Sequence, residues 1–235
     1  MNLNPLYVAL DTPDLERAVT LARSLSTAVG GIKLGLEFLS AHGPEGLRRL
    51  IDEGLPVFAD VKFHDIPNTV AGAARALSGL GVGIFNVHAS GGLAMMRAAK
   101  EATLTASTPA KVLAVTVLTS LGPEDLARVG QGRRVEEQVV RLALLAREAG
   151  LDGVVCSPRE IGAVRQACGP DFLIVTPGIR PKGAELGDQV RVMTPFEAVQ
   201  AGADILVVGR PLTAAKDPAA AARALLLEIG GGSSA

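Results

Sequence analysis

Eight apolar runs of strand length recur along the chain, separated by longer segments of helical period. That alternation confines the fold to repeated βα units around a parallel sheet. The runs are Leu6 to Asp11, Gly31 to Leu36, Val57 to Lys62, Ile84 to Ala89, Val112 to Leu118, Gly153 to Ser157, Phe172 to Thr176 and Ala203 to Val208. Between them the spacing predicts helices such as Leu15 to Ser26, Val70 to Gly79, Gly92 to Thr103, Arg134 to Gly150 and Pro218 to Glu228. Several of these open at Asp, Thr or Pro and stop at Gly, as helix signals require. Eight strands within 235 residues favour a closed (β/α)8 TIM barrel, built as a single domain, over an open doubly wound sheet. The first strand also lacks a GxGxxG turn, so no dinucleotide cofactor is indicated.

Composition removes other classes. A net charge of -1 gives no field to attract polyanions, and 3% aromatic residues leave few platforms for base stacking, so nucleic acid is not an expected partner. The hydrophobic fraction of 48% is inflated by alanine, and every apolar run is broken well short of the roughly 18 to 20 residues a bilayer span needs. No membrane association is expected. Met1 to Asp11 carries neither a basic leader nor a small-residue cleavage site and reads as the first strand. Cys156 and Cys168 lie twelve apart, with no CxxC and no histidine at ligand spacing, and read as reduced core thiols of a cytoplasmic protein with no metal site.

In a parallel barrel, chemical groups project from the carboxyl ends of the strands. Here those ends carry Asp11, Lys33, the run Asp60-Val61-Lys62-Phe63-His64-Asp65, His88, Thr119-Ser120, Ser157, Thr176-Pro177-Gly178-Ile179-Arg180 and Gly209-Arg210. The period of two places Asp60 and Lys62 on one face, aimed into the barrel mouth. One Asp-Lys pair on a strand is equally compatible with a structural ion pair. The chain has only six lysines, however, and two of them, Lys33 and Lys62, fall at inner strands where an unpaired ammonium is costly. Interleaved with Asp60 and Asp65 they would form a functional charge network.

At the other end of the sequence, Gly209-Arg210 follows the eighth strand and Pro177-Gly178-Ile179-Arg180 the seventh, where barrels often hold phosphate. A Gly-Arg pair alone is equally a plain turn with a surface arginine. After eight strands it reads as a phosphate site. As imidazoles, His64 and His88 are candidate general bases, but the Asp65-Ile66-Pro67 bend favours a positioning role for His64, and His88 reads as a satisfied core residue. His42 is expected at the surface, and Met95-Met96 as packing.

These residues carry a resemblance. Asp60-Val-Lys62-Phe-His-Asp65-Ile-Pro-Asn-Thr69, Val115-Thr-Val-Leu-Thr119-Ser120, Val175-Thr-Pro-Gly-Ile-Arg180, Asp188-Gln189-Val-Arg and Val207-Val-Gly209-Arg210 resemble the motifs of the orotidine 5'-monophosphate decarboxylase family, in order, from Leu6 to about Pro218. The resemblance implies decarboxylation of orotidine 5'-monophosphate to uridine 5'-monophosphate (UMP), the last step of de novo pyrimidine synthesis, with no cofactor, in a homodimer. It implies Lys62 as the proton donor to C6, Asp60 beside the substrate carboxylate, Lys33 holding the network, and Asp65 and Thr69 acting across the dimer interface. It further implies Asp11 at the ribose, Thr119 at the pyrimidine, and Arg180, Gln189, Gly209 and Arg210 at the phosphate. The polar, glycine-containing stretch between Arg180 and Gln189 is expected to be a lid closing over that phosphate. On this reading residues 1–229 are the catalytic barrel and 230–235, GGGSSA, a flexible tail.

Two other readings remain at this stage. Magnesium-dependent sugar-phosphate decarboxylases or aldolases resemble the chain in the Asp-x-Lys-x-x-Asp string, but Lys33 stands where those relatives place a metal-binding carboxylate, and an ammonium cannot ligate a hard cation. A noncatalytic phosphoribosyl-ligand binder would have no need of the charge network.

Overall fold

The computed structural model describes residues 4–181 and 193–231. Its eight strands are β1 (Leu6–Ala9), β2 (Gly31–Leu34), β3 (Val57–Phe63), β4 (Ile84–His88), β5 (Lys111–Val115), β6 (Gly153–Val155), β7 (Leu173–Thr176) and β8 (Ile205–Val208). Every strand pairs in parallel with its sequence neighbour, and β8 returns to β1 through Leu6↔Leu206, Tyr7↔Val207 and Val8↔Val208, so the barrel closes. Each of the eight expected strands is present, and five of them, β1, β2, β4, β5 and β6, end one to three residues before the expected carboxyl boundary.

Among the described residues the helices are α1 (Leu15–Leu25), α2 (Leu36–Ile51), α3 (Pro67–Leu80), α4 (Leu93–Thr103), α5 (Pro123–Arg128), α6 (Val135–Glu148), α7 (Ile161–Cys168), α8 (Pro195–Gln200), α9 (Arg210–Thr213) and α10 (Pro218–Ile229). Their starts follow local chemistry. Asp14 accepts from the Arg17 N–H at α1, Asp217 from the Ala220 N–H at α10, and Thr194 with Glu197 forms a reciprocal capping box at α8.

Alternation along the strands divides the apolar residues into two cores. Tyr7, Ala9, Phe58, Ile84, Leu113, Val175 and Val207 fill the barrel interior, while residues such as Val8, Ile32, Ala59, Phe85 and Val154 face the helical shell. Met95 and Met96 are buried in that shell, as expected for packing. The interior plug is therefore apolar below, and the same inward positions turn polar toward the carboxyl ends.

The amino-terminal face is tied by charges of a different kind. Arg165 donates to the carbonyls of Gly169, Phe172 and Gly202 and pairs with Asp204 at 2.6 Å, while Asp204 accepts from the Ile174 N–H. Lys100 pairs with Asp152, which in turn accepts from the Val112 N–H at 2.7 Å. Both acids thus anchor the start of a strand. Among the described residues, no helix is long and apolar enough to cross a membrane.

Candidate active site

The inward-facing phase carries chemistry at the mouth of the barrel. Lys33, two residues beyond Gly31 on β2, sends its ammonium between Asp11 (3.1 Å) and Asp60 (3.2 Å). Asp60 accepts at its other oxygen from Lys62 at 2.6 Å. The order Asp11, Lys33, Asp60, Lys62 is therefore an alternating chain of charges drawn from three adjacent strand ends. Exposure grades outward from its centre: the Lys33 and Asp60 side chains are 11% and 13% exposed, Lys62 28% and Asp11 58%. Gly35 leaves room for the first pair, since a Cβ there would stand 3.1 Å from both Asp11 Oδ1 and Lys33 Nζ.

Lys62 reaches its place through an irregularity that a simple period of two does not foresee. Between Ala59↔Phe85 and Phe63↔Val87, four steps along β3 match two along β4, so β3 carries two extra residues. Because the surplus is even, the faces do not invert: Asp60 and Lys62 line the mouth while Val61 and Phe63 pack outward. Lys62 lies at φ 51°, the only positive φ of a non-glycine residue among those described. For an L-residue that conformation costs about 1–2 kcal/mol and persists only where its surroundings impose it.

Asn86 was not anticipated from the sequence. Its side chain is buried in β4, donates to Asp60 at 2.7 Å and accepts from the Lys62 N–H at 2.7 Å. The available signal was its phase: Asn86 stands two residues beyond the inward Ile84, beside the stretch of β3 that carries Asp60 and Lys62.

Electrostatics follow from this packing. Burial alone would raise the Asp60 carboxyl, but Lys33, Lys62 and the hydrogen bonds from Lys62 and Asn86 outweigh it and hold the group below its ordinary value. His88 is half-buried at the end of β4, with its ring centroid 5.6 Å from that of His64. Burial, then His64 and Lys62, lower its pKa. The residue expected to be a satisfied core histidine thus belongs to the margin of the charge chain. Cys156 lines the same mouth; burial and neighbouring Glu160 push its thiol up to about 12, which makes it inert packing.

Across the mouth lies the arginine end. Arg180 is buried after β7 and donates to the Ile179 carbonyl, and its pKa is lowered by burial and by the like charge of Arg210. Two guanidiniums facing one another attract an anion. Gly178, at φ 78°, makes the turn that brings Arg180 back over the barrel, and Gly209 opens α9 with Arg210 as its first residue. Both ends border one cavity of about 420 Å³, lined by Asp11, Lys33, Asp60, Lys62, Thr119, Gly178, Arg180, Gly209 and Arg210 among others. That volume suits a small phosphorylated molecule.

Some expected residues do not join this cavity. Asp65 is exposed and accepts from the Ile66 N–H, so within one protomer it stands outside the charge network into which it was expected to interleave. The Asp65-Ile66-Pro67 bend turns its carboxylate outward. Thr69 is likewise exposed, on the first turn of α3. Ser157 is buried as a cap, accepting from Arg159 N–H. His42, expected at the surface, is partly covered, and its Nε2 meets the Pro13 carbonyl at 2.7 Å. Gln189 and most of the expected lid lie outside the described residues, as does the end of the tail.

A closed barrel whose mouth joins a lysine–carboxylate chain to an arginine pair defines a class: a (β/α)8 barrel of the enzyme type, with a charged cavity at its carboxyl end that suits an anionic ligand. The model of the family described as orotidine 5'-phosphate decarboxylase / HUMPS matches residues 4–225, and the chain belongs to that family. An orotidine 5'-phosphate decarboxylase of Moorella thermoacetica is 60% identical over 95% of this chain and 91% of its own length. One from Paramagnetospirillum magneticum is 52% identical over 97% and 99%. The crystal structure of orotidine 5'-phosphate decarboxylase from Lactobacillus acidophilus superposes with a TM-score of 0.82 at 39% identity, covering 96% of this chain and 99% of that one.

Proposed function

We propose that this chain decarboxylates orotidine 5'-phosphate to uridine 5'-phosphate without a cofactor, closing de novo pyrimidine nucleotide synthesis, with Lys62 as the proton donor. One observation carries the reading: Lys62 stands at the open end of the Asp11–Lys33–Asp60–Lys62 chain, inside the cavity that Arg180 and Arg210 border. The C6–carboxylate bond breaks, carbon dioxide leaves, and its electron pair remains at C6. No electron sink lies in the pyrimidine at that position, so the developing carbanion needs a fixed positive charge beside it. The Lys62 ammonium supplies that charge and then its proton to C6, and solvent restores the ammonium.

Asp60 pairs with the Lys62 ammonium and faces the departing carboxylate, while Lys33 holds Asp60 ionised. Asp11 binds the ribose hydroxyls, Thr119 the pyrimidine, and Arg180, Gln189, Gly209 and Arg210 the phosphate. Remote phosphate binding can then be spent on assembling the catalytic end. The exposed Asp65 and Thr69 act on the neighbouring site of a homodimer, an arrangement supported by their outward position beside exposed Ile66. Two buried free cysteines suit a reducing, cytoplasmic setting.

Lys33 distinguishes this reaction from a magnesium-dependent one on a sugar phosphate. Its ammonium lies within 3.2 Å of both Asp11 and Asp60, where it competes with any cation for the same oxygens. The test is turnover of orotidine 5'-phosphate by EDTA-treated protein, followed by ultraviolet change and carbon dioxide release, with Lys62→Ala beside it. Metal-free turnover that collapses in the variant is expected. Activity that appears only with magnesium, or survives in Lys62→Ala, overturns the reading.

A further inference from the structure

The two extra residues of β3 interrupt its ladder with β4 where Lys62 must be held in a left-handed conformation. The replacement for that ladder is a single side chain. Asn86 Oδ1 accepts from the Lys62 backbone N–H at 2.7 Å, and Asn86 Nδ2 donates to Asp60 Oδ1 at 2.7 Å. Chemistry fixes the orientation of this amide: a backbone N–H can only donate, and an ionised carboxylate can only accept. Asn86 is 1% exposed, so water cannot take over either bond.

We infer that Asn86 is a positioning residue for the reaction, clamping the β3 bulge so that Lys62 is presented to the substrate and Asp60 shows a fixed oxygen to each lysine. With Nδ2 and Lys62 Nζ both on Oδ1, Asp60 leaves Oδ2 to Lys33 at 3.2 Å. Rotation of the carboxylate would scramble that assignment. No other side chain of this size offers one donor and one acceptor in a rigid plane. Aspartate would place a second carboxylate against Asp60, and leucine would leave the Lys62 N–H without a partner and take from Asp60 Oδ1 one of its two donors. Around Asp60 stand Lys33 from β2, Lys62 from its own strand, His88 from β4 and, beyond Lys33, Asp11 from the end of β1.

This inference rests on the decarboxylase reading, and the experiment separates the two. Wild type, Asn86→Asp and Asn86→Leu are assayed with orotidine 5'-phosphate from about pH 3 to 8, with uridine 5'-phosphate affinity and melting temperature measured alongside. In both variants kcat is expected to fall on the order of 10²-fold, with KM and product affinity changed by less than about threefold, because the arginine end is untouched. The acid limb of kcat should also move to higher pH, since Asp60 loses a hydrogen bond that favours its ionised form, and in Asn86→Asp gains a like charge. A purely structural asparagine would leave that limb in place. If folded Asn86→Asp and Asn86→Leu keep wild-type kcat, or lose it with no movement of the acid limb, the positioning role is overturned. If wild type itself gives no turnover, the decarboxylase reading fails first and the inference with it.

Discussion

The two ends of this barrel both carry lysine or arginine paired with aspartate, yet the pairs differ in what else they hold. On the amino-terminal face Arg165–Asp204 and Lys100–Asp152 each have backbone partners: Arg165 gathers several carbonyls, and both aspartates accept from the N–H of a strand. At the mouth, Asp11, Lys33, Asp60 and Lys62 mainly hold one another and border the cavity. Charges that seize backbone groups fix geometry. Charges that answer mainly to other charges, at the rim of a cavity, remain open to a ligand that carries charge of its own. An aspartate–lysine pair is therefore read as structural or functional by its remaining partners, not by its residue types.

The sharpest way to break this comparison is to remove one cation from each end. Lys62→Ala should lower kcat on the order of 10⁴-fold while KM and thermal stability change little, because a proton donor and a fixed charge are lost together. Steady-state kinetics beside a melting curve would show it. Arg165→Ala should do the reverse: a loss of about 3 kcal/mol in unfolding free energy by urea titration, as several carbonyls and Asp204 lose their donor, with kcat nearly unchanged in the folded protein. Should Arg165→Ala fall in kcat as steeply as Lys62→Ala, the division between the ends would be false.

Within the mouth itself, the arginine end differs from the lysine end in having like charges opposed. Arg210→Ala should lower kcat/KM for orotidine 5'-phosphate about 10²-fold, in kcat as well as KM if phosphate binding helps to assemble the site. Orotidine, lacking the phosphate, is the control. The variant and wild type should process the nucleoside equally poorly, and a penalty that persists with orotidine would detach Arg210 from the phosphate.

How much of this was legible beforehand follows the same division. The eight strands could be read because each is a short apolar run, and the two cores because alternation is a local property of such runs. Lys33, Asp60 and Lys62 were legible for a related reason: charged residues at inward phase stand out against valine and leucine. Asn86 was not legible although it shares that phase, because asparagine carries no charge and an uncharged polar residue does not stand out in an inner strand. The bulge could not be read at all. It depends on how far β4 lets β3 run ahead, a relation between strands that neither sequence segment contains, and the positive φ of Lys62 follows from it. The outward position of Asp65 was not legible from its residue type, since the bend after it decides which side of the wall it faces.

The smallest expected effect concerns acid stability, and it sharpens the contrast at the mouth. His88 has its pKa lowered by burial, with His64 and Lys62 adding to the effect, so in the folded protein it stays neutral at a pH where the unfolded chain already binds the proton. Its contribution to stability is therefore fully present above the ordinary imidazole range and declines as pH falls from there toward the lower folded value. Asp60 acts further down: held below the usual carboxylate range by Lys33 and Lys62, it contributes above that range and loses its contribution as pH falls through its folded value. Two successive acid windows should thus appear, the first belonging to histidine. In His88→Gln the decline in melting temperature between about pH 7 and pH 5.5 should be shallower than in wild type, while the carboxylate window below about pH 4 remains. Identical slopes in the upper window would show that the protonation of His88 is not linked to folding, leaving the mouth's acid sensitivity to its carboxylates alone.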